Sequence, residues 1–355
     1  MKLFLFYSFL MISFSVFGQK TDSVRFFSKN LNQERDILVY TPDEYDDEPL
    51  QKFGVIYVFD AQFRAYFDLV TAAIDFYNQG YPMIVVGIIS SYCEDKKQSR
   101  STDFLPPPQS PETSEKWDGF LGNADHFIQY LSDEVVPYLE QHYRTLPTKI
   151  AIGHSLGATF ISYCLLKNPD LFDAYIAVSP NYEYDDELLV KAVQKFNPDA
   201  MCSKKFFYLC HAGENWKGWE NARKNVIAVF ETEKFKNKFE FKNQDFSATE
   251  SHGTVFPIGV INGLKDYFSY QFFTADNLIA YYQTLSEKRQ IILTPDNTNQ
   301  FAYNLYYATQ NAGDALKVLL WANQQFPDDL NLYDSIEEMY QKLNDTNNTL
   351  KYSPD

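Results

Sequence analysis

A short glycine-bounded segment around Ser155 has the residue types of a serine nucleophile turn. The run from Gly153 to Gly157 reads Gly-His-Ser-Leu-Gly, which fits Gly-x-Ser-x-Gly between an apolar strand-like run and a helical pattern. The two glycines leave room where Cβ atoms would collide, so the serine hydroxyl can stand above the strand ends. The sequence predicts that Ser155 is the nucleophile of an acyl-transfer site, and a purely structural turn is the alternative.

A serine hydroxyl is a poor nucleophile until a base takes its proton, so one of the chain's 5 histidines is expected to act as base. His126 and His142 lie in a predicted helix before the serine, and His154 belongs to the turn itself. His211 ends a predicted strand. His252 lies between the last predicted strand and the helix that follows it, where chain order places the base of such a site. We expect His252 to be the base.

The acid that orients the imidazole is expected to follow the strand that ends near Cys210. Glu214 lies just past that strand, in the segment His-Ala-Gly-Glu-Asn-Trp. Glu220 lies about one helical turn further along, and Asp245 lies near the next predicted strand. Glu214 is the preferred acid, and Glu220 and Asp245 remain alternatives.

Two backbone amides are expected to stabilise the oxyanion of an acyl-transfer reaction. The N–H of Leu156 would lie at the start of the helix after the nucleophile, where amides point toward a developing negative charge. The second donor is expected in the loop after the apolar run 53–59, where the N–H of Ala61 or Gln62 is the candidate.

Strand-like and helical patterns alternate along the chain, which predicts an α/β fold. Two near-continuous apolar runs, 53–59 and 83–89, are typical of strands buried on both faces of a parallel sheet. The other predicted strands are 24–28, 36–40, 149–153, 173–178, 205–210 and 239–242. The predicted helices are 65–77, 118–142, 156–166, 186–196, 216–235 and 254–273. We expect a mostly parallel central sheet with helices on both faces.

The polar, proline-rich stretch 90–117 is predicted to be a long loop. Arg100 and Asp103 within it are interpreted as an ion pair that orders the loop, and contact of Arg100 with substrate is the alternative. Four aromatic residues in later loops are candidates either for lining a substrate pocket or for filling the core: Tyr182, Tyr184, Trp216 and Trp219.

Composition and charge bear on whether the protein binds nucleic acid, metals or cofactors. The chain has 355 residues and a formal net charge of -16, so binding to nucleic acid is not expected. The spacing of its 4 cysteines matches no metal motif, and the proposed chemistry requires no metal and no organic cofactor. Cys164 falls among apolar helix positions and is expected to be a small buried side chain.

The first residues resemble a secretory signal peptide. Lys2 precedes an apolar run from Leu3 to Phe17, and cleavage is expected after Gly18. The run is short for a membrane span, so no stable span is expected after cleavage. The sequence predicts export to the periplasm or the medium.

The predicted domains are a signal peptide (1–18), a hydrolase domain (19–273) and a small all-helical tail (274–355). The tail shows a faint period of 34 residues, the tetratricopeptide period, in the pairs Tyr306 and Tyr340, Asn311 and Asp345, and Leu316 and Leu350. A plain helical extension explains the pattern equally well. Such a tail is a candidate site for a protein partner.

Five segments in order resemble the esterase branch of the α/β-hydrolases, which includes enterochelin esterases and ferri-bacillibactin esterase-like proteins. They are the strand and loop 55–62, Arg100-x-x-Asp103-x-x-Pro106, the Gly-x-Ser-x-Gly turn, Ser179-Pro180-Asn181, and the paired segments around Glu214 and His252. The chain departs from the family pattern at two positions. Ala61 stands where the family has glycine. In the acid segment the family usually has its glycine further from the acid, and here Ala212 lies two residues before Glu214.

This resemblance covers about residues 20–273 and implies an α/β-hydrolase fold and hydrolysis of carboxylic esters. The family's substrates include siderophore, feruloyl and acetyl esters, so a small-molecule ester is the expected substrate. One alternative is an inactive hydrolase-fold scaffold that uses its helical tail to bind a protein. A peptidase or acyltransferase with the same three residues is another.

Overall fold

The computed structural model of the chain describes residues 20–47, 49, 51–77, 82–90, 99–116, 122–214, 217–268, 274–289 and 293–352. The predicted signal peptide, Cys93 and Trp216 lie outside the described residues. None of the helices in the described ranges is both long enough and apolar enough to cross a membrane.

The described residues form one sheet of eight strands, and each predicted strand is present. The strands are β1 (Lys20–Ser28), β2 (Gln33–Thr41), β3 (Phe53–Phe59), β4 (Met83–Ile88), β5 (Thr145–His154), β6 (Ala174–Val178), β7 (Lys205–His211) and β8 (Phe239–Asp245). Their order is β1-β2-β4-β3-β5-β6-β7-β8. Strand β2 is antiparallel to both of its neighbours and the remaining pairs are parallel, which confirms the mostly parallel sheet.

Helices cover both faces of the sheet. Those up to β8 are α1 (Glu44–Asp47), α2 (Arg64–Tyr77), α3 (Arg100–Phe104), α4 (Pro111–Lys116), α5 (Ala124–Tyr130), α6 (Val136–His142), α7 (Leu156–Lys167), α8 (Tyr184–Lys195), α9 (Lys217–Phe230) and α10 (Glu233–Lys236). Those after β8 are α11 (Val255–Phe268), α12 (Ala275–Arg289), α13 (Pro295–Thr309), α14 (Ala312–Gln325), α15 (Leu330–Lys342) and α16 (Thr346–Tyr352).

Two expectations about local structure were wrong. The predicted helix 118–142 begins at Ala124 in the described residues, and a π-helical segment, Leu131–Val135, joins α5 to α6. The predicted loop 90–117 contains the short helices α3 and α4. The Ser99 hydroxyl accepts from the amide of Thr102 at 3.4 Å and the Ser110 hydroxyl accepts from that of Thr113 at 3.1 Å, so local caps start both helices.

Alternation along the central strands divides the core into two layers. Ile56 and Val58 of β3 pack with α2 and α11 on one face, whereas Val55, Tyr57 and Phe59 pack with α5 to α9 on the other. Every residue of β3 is buried, because both faces of this strand are covered. The apolar runs in the sequence therefore mark the middle of the sheet.

The sheet reverses its direction of growth at β3. The chain passes from β3 through α2 to β4 on one side, and it then returns to place β5 on the other side of β3. The carboxyl ends of β3 and β5 thus face a crevice at a topological switch point, where ligands bind in open α/β sheets. The predicted nucleophile follows β5 and the predicted amide loop follows β3.

Helix α11 lies close to the sheet through two glycines. A Cβ on Gly259 would lie 2.6 Å from the sulfur of Cys210, and a Cβ on Gly263 would lie 2.7 Å from a methyl of Ile176. Ordinary contacts do not occur at such separations, so only glycine lets the helix approach this closely. The approach fixes the position of the loop that carries His252, which immediately precedes α11.

The tail consists of helices α12 to α16, and the buried apolar side chains of α12 to α15 belong to the same cluster as Tyr267 and Phe268 of α11. Asn311 accepts a hydrogen bond from the Asp314 amide at the start of α14, and Asp345 does the same for the amide of Asn348 at the start of α16. Two positions 34 residues apart therefore play equivalent capping roles. A tetratricopeptide repeat and the domain boundary at residue 274 stay predictions.

Replacing Gly259 with alanine is expected to lower the free energy of unfolding by about 1 to 3 kcal/mol, because the added methyl forces α11 away from β6 and β7. Urea denaturation measures the change. Gly253→Ala is the matched control, since a Cβ there meets no atom within 4 Å. Equal stability of the two variants would contradict the close packing of α11.

Candidate active site

Ser155 lies in a sharp turn between β5 and α7. Its backbone has φ 55° and ψ -120°, a conformation that residues with a Cβ rarely adopt, and its N–H donates to the carbonyl of Val178 at 2.9 Å. A Cβ on Gly153 would lie 2.5 Å from the backbone of Gly157. The turn therefore requires glycine at Gly153, as the sequence pattern indicated.

The loop after β3 lies against this turn. The nearest atom to a Cβ built on Gly157 is a carboxylate oxygen of Asp60, at 3.1 Å. Leu156 is the first residue of α7, so its N–H lacks an acceptor within the helix. The turn thus places one helix N-terminal amide beside the serine.

Ala61 is not the second amide donor. Its N–H donates to the carbonyl of Ile88 at 3.0 Å and is already used between the ends of β3 and β4. The N–H of Gln62 has no recorded acceptor within the described part of the chain. The Gln62 side chain is held on both sides, since it donates to Asp60 at 2.7 Å and accepts from the Ser90 amide at 3.0 Å. The structure leaves Gln62 as the candidate in this loop.

A cavity of about 880 Å³ opens above the turn, and Ser155, Leu156, Glu214 and His252 all line it. These residues come from the loops after β5, β7 and β8 and meet at one edge of the sheet, because the carboxyl ends of parallel strands lie together. The cavity therefore contains the predicted nucleophile, base and acid.

The carboxylate of Glu214 is buried and fully engaged. Ser179 donates its hydroxyl to Oε1, the Ala212 amide donates to the same oxygen at 3.3 Å, and Arg223 donates to Oε2 at 2.9 Å. Burial raises the pKa of Glu214, but the nearby His252, Ser179 and Arg223 outweigh it and lower the pKa to about 2. Glu214 is therefore ionised throughout the neutral pH range.

His252 faces this carboxylate without a hydrogen bond to it. Its Nδ1 lies 3.9 Å from Glu214 Oε1, and this buried nitrogen has no hydrogen-bond partner among the described residues. The ring of Trp219 contacts the imidazole edge to face, with 5.1 Å between ring centroids. A small rotation of the imidazole would bring Nδ1 within hydrogen-bonding distance of the carboxylate, and such distances commonly shorten when substrate binds.

His154 holds the histidine loop in place. Its Nε2 lies 2.9 Å from the carbonyl oxygen of His252, which can only accept, so Nε2 carries the proton. The other nitrogen, Nδ1, then accepts from the hydroxyl of Tyr66 at 3.0 Å. Burial lowers the pKa of His154 to about 4, which keeps this ring neutral, and the two hydrogen-bond partners fix its tautomer.

Backbone bonds join the loops that carry the acid and the base. Gly213 donates its N–H to the carbonyl of Glu250 at 3.0 Å, and Phe246 donates to the carbonyl of His211 at 2.9 Å. In both loops the bonded residues come a few positions before Glu214 and His252. The spacing between Glu214 and His252 is therefore set by main-chain contacts as well as by their own side chains.

The two alternative acids lie elsewhere. Asp245 is exposed, and its Oδ1 lies 3.0 Å from Nε2 of the buried His211, outside the cavity. Glu220 lies in the first turn of α9 and does not line the cavity. Among the three candidates, Glu214 alone faces His252.

Arg100 and Asp103 do not form the expected ion pair. Arg100 makes a bidentate pair with the fully buried Asp60 and lines the cavity, with Nε 2.6 Å from Oδ1. Asp103 makes its own bidentate pair with the buried Arg35, at 2.6 and 2.8 Å. The sequence hypothesis failed because the preferred partners, Asp60 and Arg35, lie 40 and 68 residues away.

The structure places some of the aromatic candidates in the core and others at the cavity. Tyr182 is buried in the core, where its hydroxyl lies 2.9 Å from that of Ser162, so its assignment to the pocket was wrong. Tyr184 and Trp219 both line the cavity, and the Tyr184 hydroxyl donates to the carbonyl of Pro106 at 2.8 Å.

Sequence reasoning missed Arg223 and Tyr66 and gave no role to Ser179. Arg223 lies within α9 and belongs to no recognisable sequence motif, so nothing in the neighbouring sequence indicates its contact with Glu214. Across the described residues, no group of three or more His, Cys, Asp or Glu side chains is arranged to hold a metal ion. Cys164 is buried, as expected.

Comparison with known sequences identifies related esterases. Residues 28–225 match the profile of a family described as "Putative esterase". The ferri-bacillibactin esterase BesA of Bacillus subtilis is 28% identical over 180 residues, and the siderophore enterobactin esterase of Emericella nidulans is 30% identical over 106 residues. These alignments cover 48% and 27% of this chain, and they span 61% and 35% of the relatives' lengths.

Solved structures share the fold. An IroE-like serine hydrolase from Shewanella oneidensis matches with a TM-score of 0.68 at 20% identity, covering 86% of this chain and 100% of that one. An uncharacterised protein from Capnocytophaga ochracea matches with a TM-score of 0.62 at 18% identity, covering 94% of this chain and 92% of that one. The second likeness covers so much of the chain that it includes tail helices.

Replacing Glu214 with glutamine is expected to remove a pH-dependent part of the stability. The folded pKa of about 2 lies below the ordinary 4.5, so the charged carboxylate stabilises the fold above about pH 4.5 and loses this effect as the pH falls toward 2. The difference in free energy of unfolding between wild type and Glu214→Gln is expected to shrink by on the order of 2 kcal/mol between about pH 7 and about pH 3.

Urea denaturation at both pH values measures this difference. The same substitution at the exposed Glu231 controls for the general effect of removing one carboxylate. A difference that does not change with pH would show that the neighbours of Glu214 do not hold it in its charged form.

Proposed function

The chain belongs to the esterase family whose profile it matches over residues 28–225, and we propose that it hydrolyses carboxylic esters with Ser155 as nucleophile. The observation that carries the proposal is the cavity in which Ser155, His252 and the buried, charged Glu214 meet. A surface role for these residues would not require a strained turn or a buried carboxylate.

The first half of the proposed reaction transfers the acyl group to the enzyme. Ser155 Oγ attacks the ester carbonyl carbon while His252 takes the hydroxyl proton at Nε2. The N–H groups of Leu156 and Gln62 stabilise the oxyanion that forms. The intermediate then collapses, His252 gives the proton to the departing alcohol oxygen, and an acyl-serine ester remains.

The second half of the proposed reaction hydrolyses the acyl-serine and regenerates the free Ser155 hydroxyl. A water molecule attacks the acyl-serine carbonyl, and His252 takes one water proton as the new bond forms. The second oxyanion collapses, the bond to Ser155 Oγ breaks, and His252 returns the proton to that oxygen. The carboxylic acid leaves, so one ester and one water give one acid and one alcohol.

Glu214 acts in this scheme through the charge on His252. When the imidazole holds the transferred proton, it becomes a cation beside a carboxylate that stays ionised because Ser179 and Arg223 hold it in that form. The attraction draws Nδ1 toward Oε1 and sets the tautomer that leaves Nε2 able to accept a proton.

The relatives' names point to one substrate class. The Bacillus subtilis protein is described as a ferri-bacillibactin esterase and the Emericella nidulans protein as a siderophore enterobactin esterase, so a siderophore ester is a candidate substrate here. Feruloyl and acetyl esters, which the sequence resemblance implies, are alternatives. The cavity of about 880 Å³ lies in the volume range of pockets that bind small organic molecules, so it has room for such an ester.

Replacing Ser155 with alanine is expected to abolish ester hydrolysis, because no other group on the proposed pathway can accept the acyl chain. Turnover of short p-nitrophenyl esters is expected to fall by at least about 10⁴-fold. The measurement is release of p-nitrophenolate by purified protein, with Ser132→Ala as matched control, because this half-buried serine lies outside the cavity.

A fluorophosphonate probe adds an independent readout, since it is expected to label wild type at Ser155 and to leave Ser155→Ala unlabelled. Wild-type protein that neither turns over esters nor takes up the probe would contradict the proposal and favour an inactive scaffold.

Glu214→Gln is expected to lower kcat by about 10² to 10⁴-fold, since an amide cannot stabilise the imidazolium. Asp245→Asn is the matched control, because this carboxylate faces His211 and lies outside the cavity, and its kcat is expected to change by less than about twofold. A larger loss in Asp245→Asn than in Glu214→Gln would assign the acid to Asp245.

A further inference from the structure

One wall of the cavity carries several carboxylates. Glu183, Asp185, Asp186 and Glu187 line it at the start of α8, in the same space as Ser155. Asp185, Asp186 and Glu187 all have positive φ, between 51° and 59°, so the chain makes a left-handed turn before α8 continues. Asp185 accepts from the amides of Gln109 and Ser110, which ties this wall to the loop before α4.

Glu183 differs from the other acids of this wall because its carboxylate has neither a hydrogen-bond donor nor an ion-pair partner among the described residues. Asp186 pairs with Lys191, and Glu187 accepts from Asn225. Glu183 is half-buried, and a Cβ on Gly218 would lie 2.3 Å from its carboxylate oxygen. The missing side chain at Gly218 is therefore what makes room for the Glu183 carboxylate.

Trp219 lines the same cavity as Glu183 and contacts His252. It follows Gly218 directly in the chain. A carboxylate and an indole ring that line the same cavity are the combination that attracts an ammonium group, by charge and by the cation–π interaction.

The cations of the cavity offset these charges only in part. Arg100 is held in a bidentate pair by Asp60, which neutralises it locally. Lys116 lies exposed at the end of α4, where water and salt screen its charge. The half-buried Glu183 is screened less, so this wall of the cavity is net negative.

We propose that this cavity selects esters that carry a positively charged group near the scissile bond over esters that carry a negatively charged one, and that Glu183 is the main determinant. The inference rests on the proposed esterase function and adds the charge of the substrate to it. Siderophore esters, the class that the relatives' names indicate, are then expected to be good substrates only where they bring no negative charge to this wall.

The test uses three p-nitrophenyl esters of equal chain length. One carries a trimethylammonium group at the γ-carbon of a butyryl chain, one carries the neutral tert-butyl isostere of that group, and one carries a sulfonate. Wild type is expected to show a kcat/KM about fivefold or more higher for the cationic ester than for its neutral isostere, and lower for the sulfonate than for either.

The variant Glu183→Gln keeps the shape of the side chain and removes its charge. The ratio of kcat/KM between the cationic and neutral esters is expected to fall by about three- to tenfold. The matched control is Glu231→Gln, which removes an exposed carboxylate just past the far end of α9, about 20 Å along the helix from Trp219. This control is expected to keep the wild-type ratio.

The outcomes separate the two proposals. A wild-type ratio of one or below, or a ratio that Glu183→Gln leaves unchanged, would overturn the charge selection while Ser155-dependent turnover of the neutral ester upheld the esterase. Absence of Ser155-dependent turnover with all three esters would contradict the esterase function and the charge selection together.

Discussion

The backbone conformation of Ser155 is the constraint on which the rest of the site depends. A residue with a Cβ at φ 55° and ψ -120° costs about 1 to 3 kcal/mol, and the structure must hold it there. The N–H of Ser155 is tied to Val178 on β6, and Gly153 leaves no Cβ between the end of β5 and the first turn of α7. This strain raises the hydroxyl above the sheet edge and aims the first amides of α7 at the same place.

Buried pairs between arginine and carboxylate then fix the surroundings of the turn. Arg100 with Asp60, Arg35 with Asp103, and Arg223 with Glu214 each join segments far apart in sequence or tie a loop to a helix. Removing one partner from such a pair would leave an uncompensated buried charge, so these contacts specify geometry strongly even where their net stabilisation is small. They hold the loop after β3, the helix α3 and Glu214 in one arrangement.

His252, the proposed base, is positioned differently, by main-chain hydrogen bonds and by the neutral ring of His154. His154 donates to the backbone of His252, Gly213 bonds to Glu250, and the two glycines of α11 bring the following helix down onto the sheet. The imidazole Nδ1 lies 3.9 Å from Glu214 Oε1. A loop fixed in this way suits a proposed base that takes a proton from one oxygen and gives it to another.

The sequence by itself determined the strands and the sharp turn at Ser155, because these depend on local patterns. The roles of Ser155, Glu214 and His252 stay a proposal. Apolar runs mark β3 and β4, and the glycines around Ser155 are required by contacts within a few residues. Only the tertiary structure decided the partner of Arg100, the choice of Gln62 over Ala61, and the core position of Tyr182. Those outcomes depend on which residues distant in the chain meet at the edge of the sheet. Which charged side chains pair, and which backbone N–H groups already have an acceptor, depends on distances of a few ångströms. Spacing along the chain does not reveal these distances.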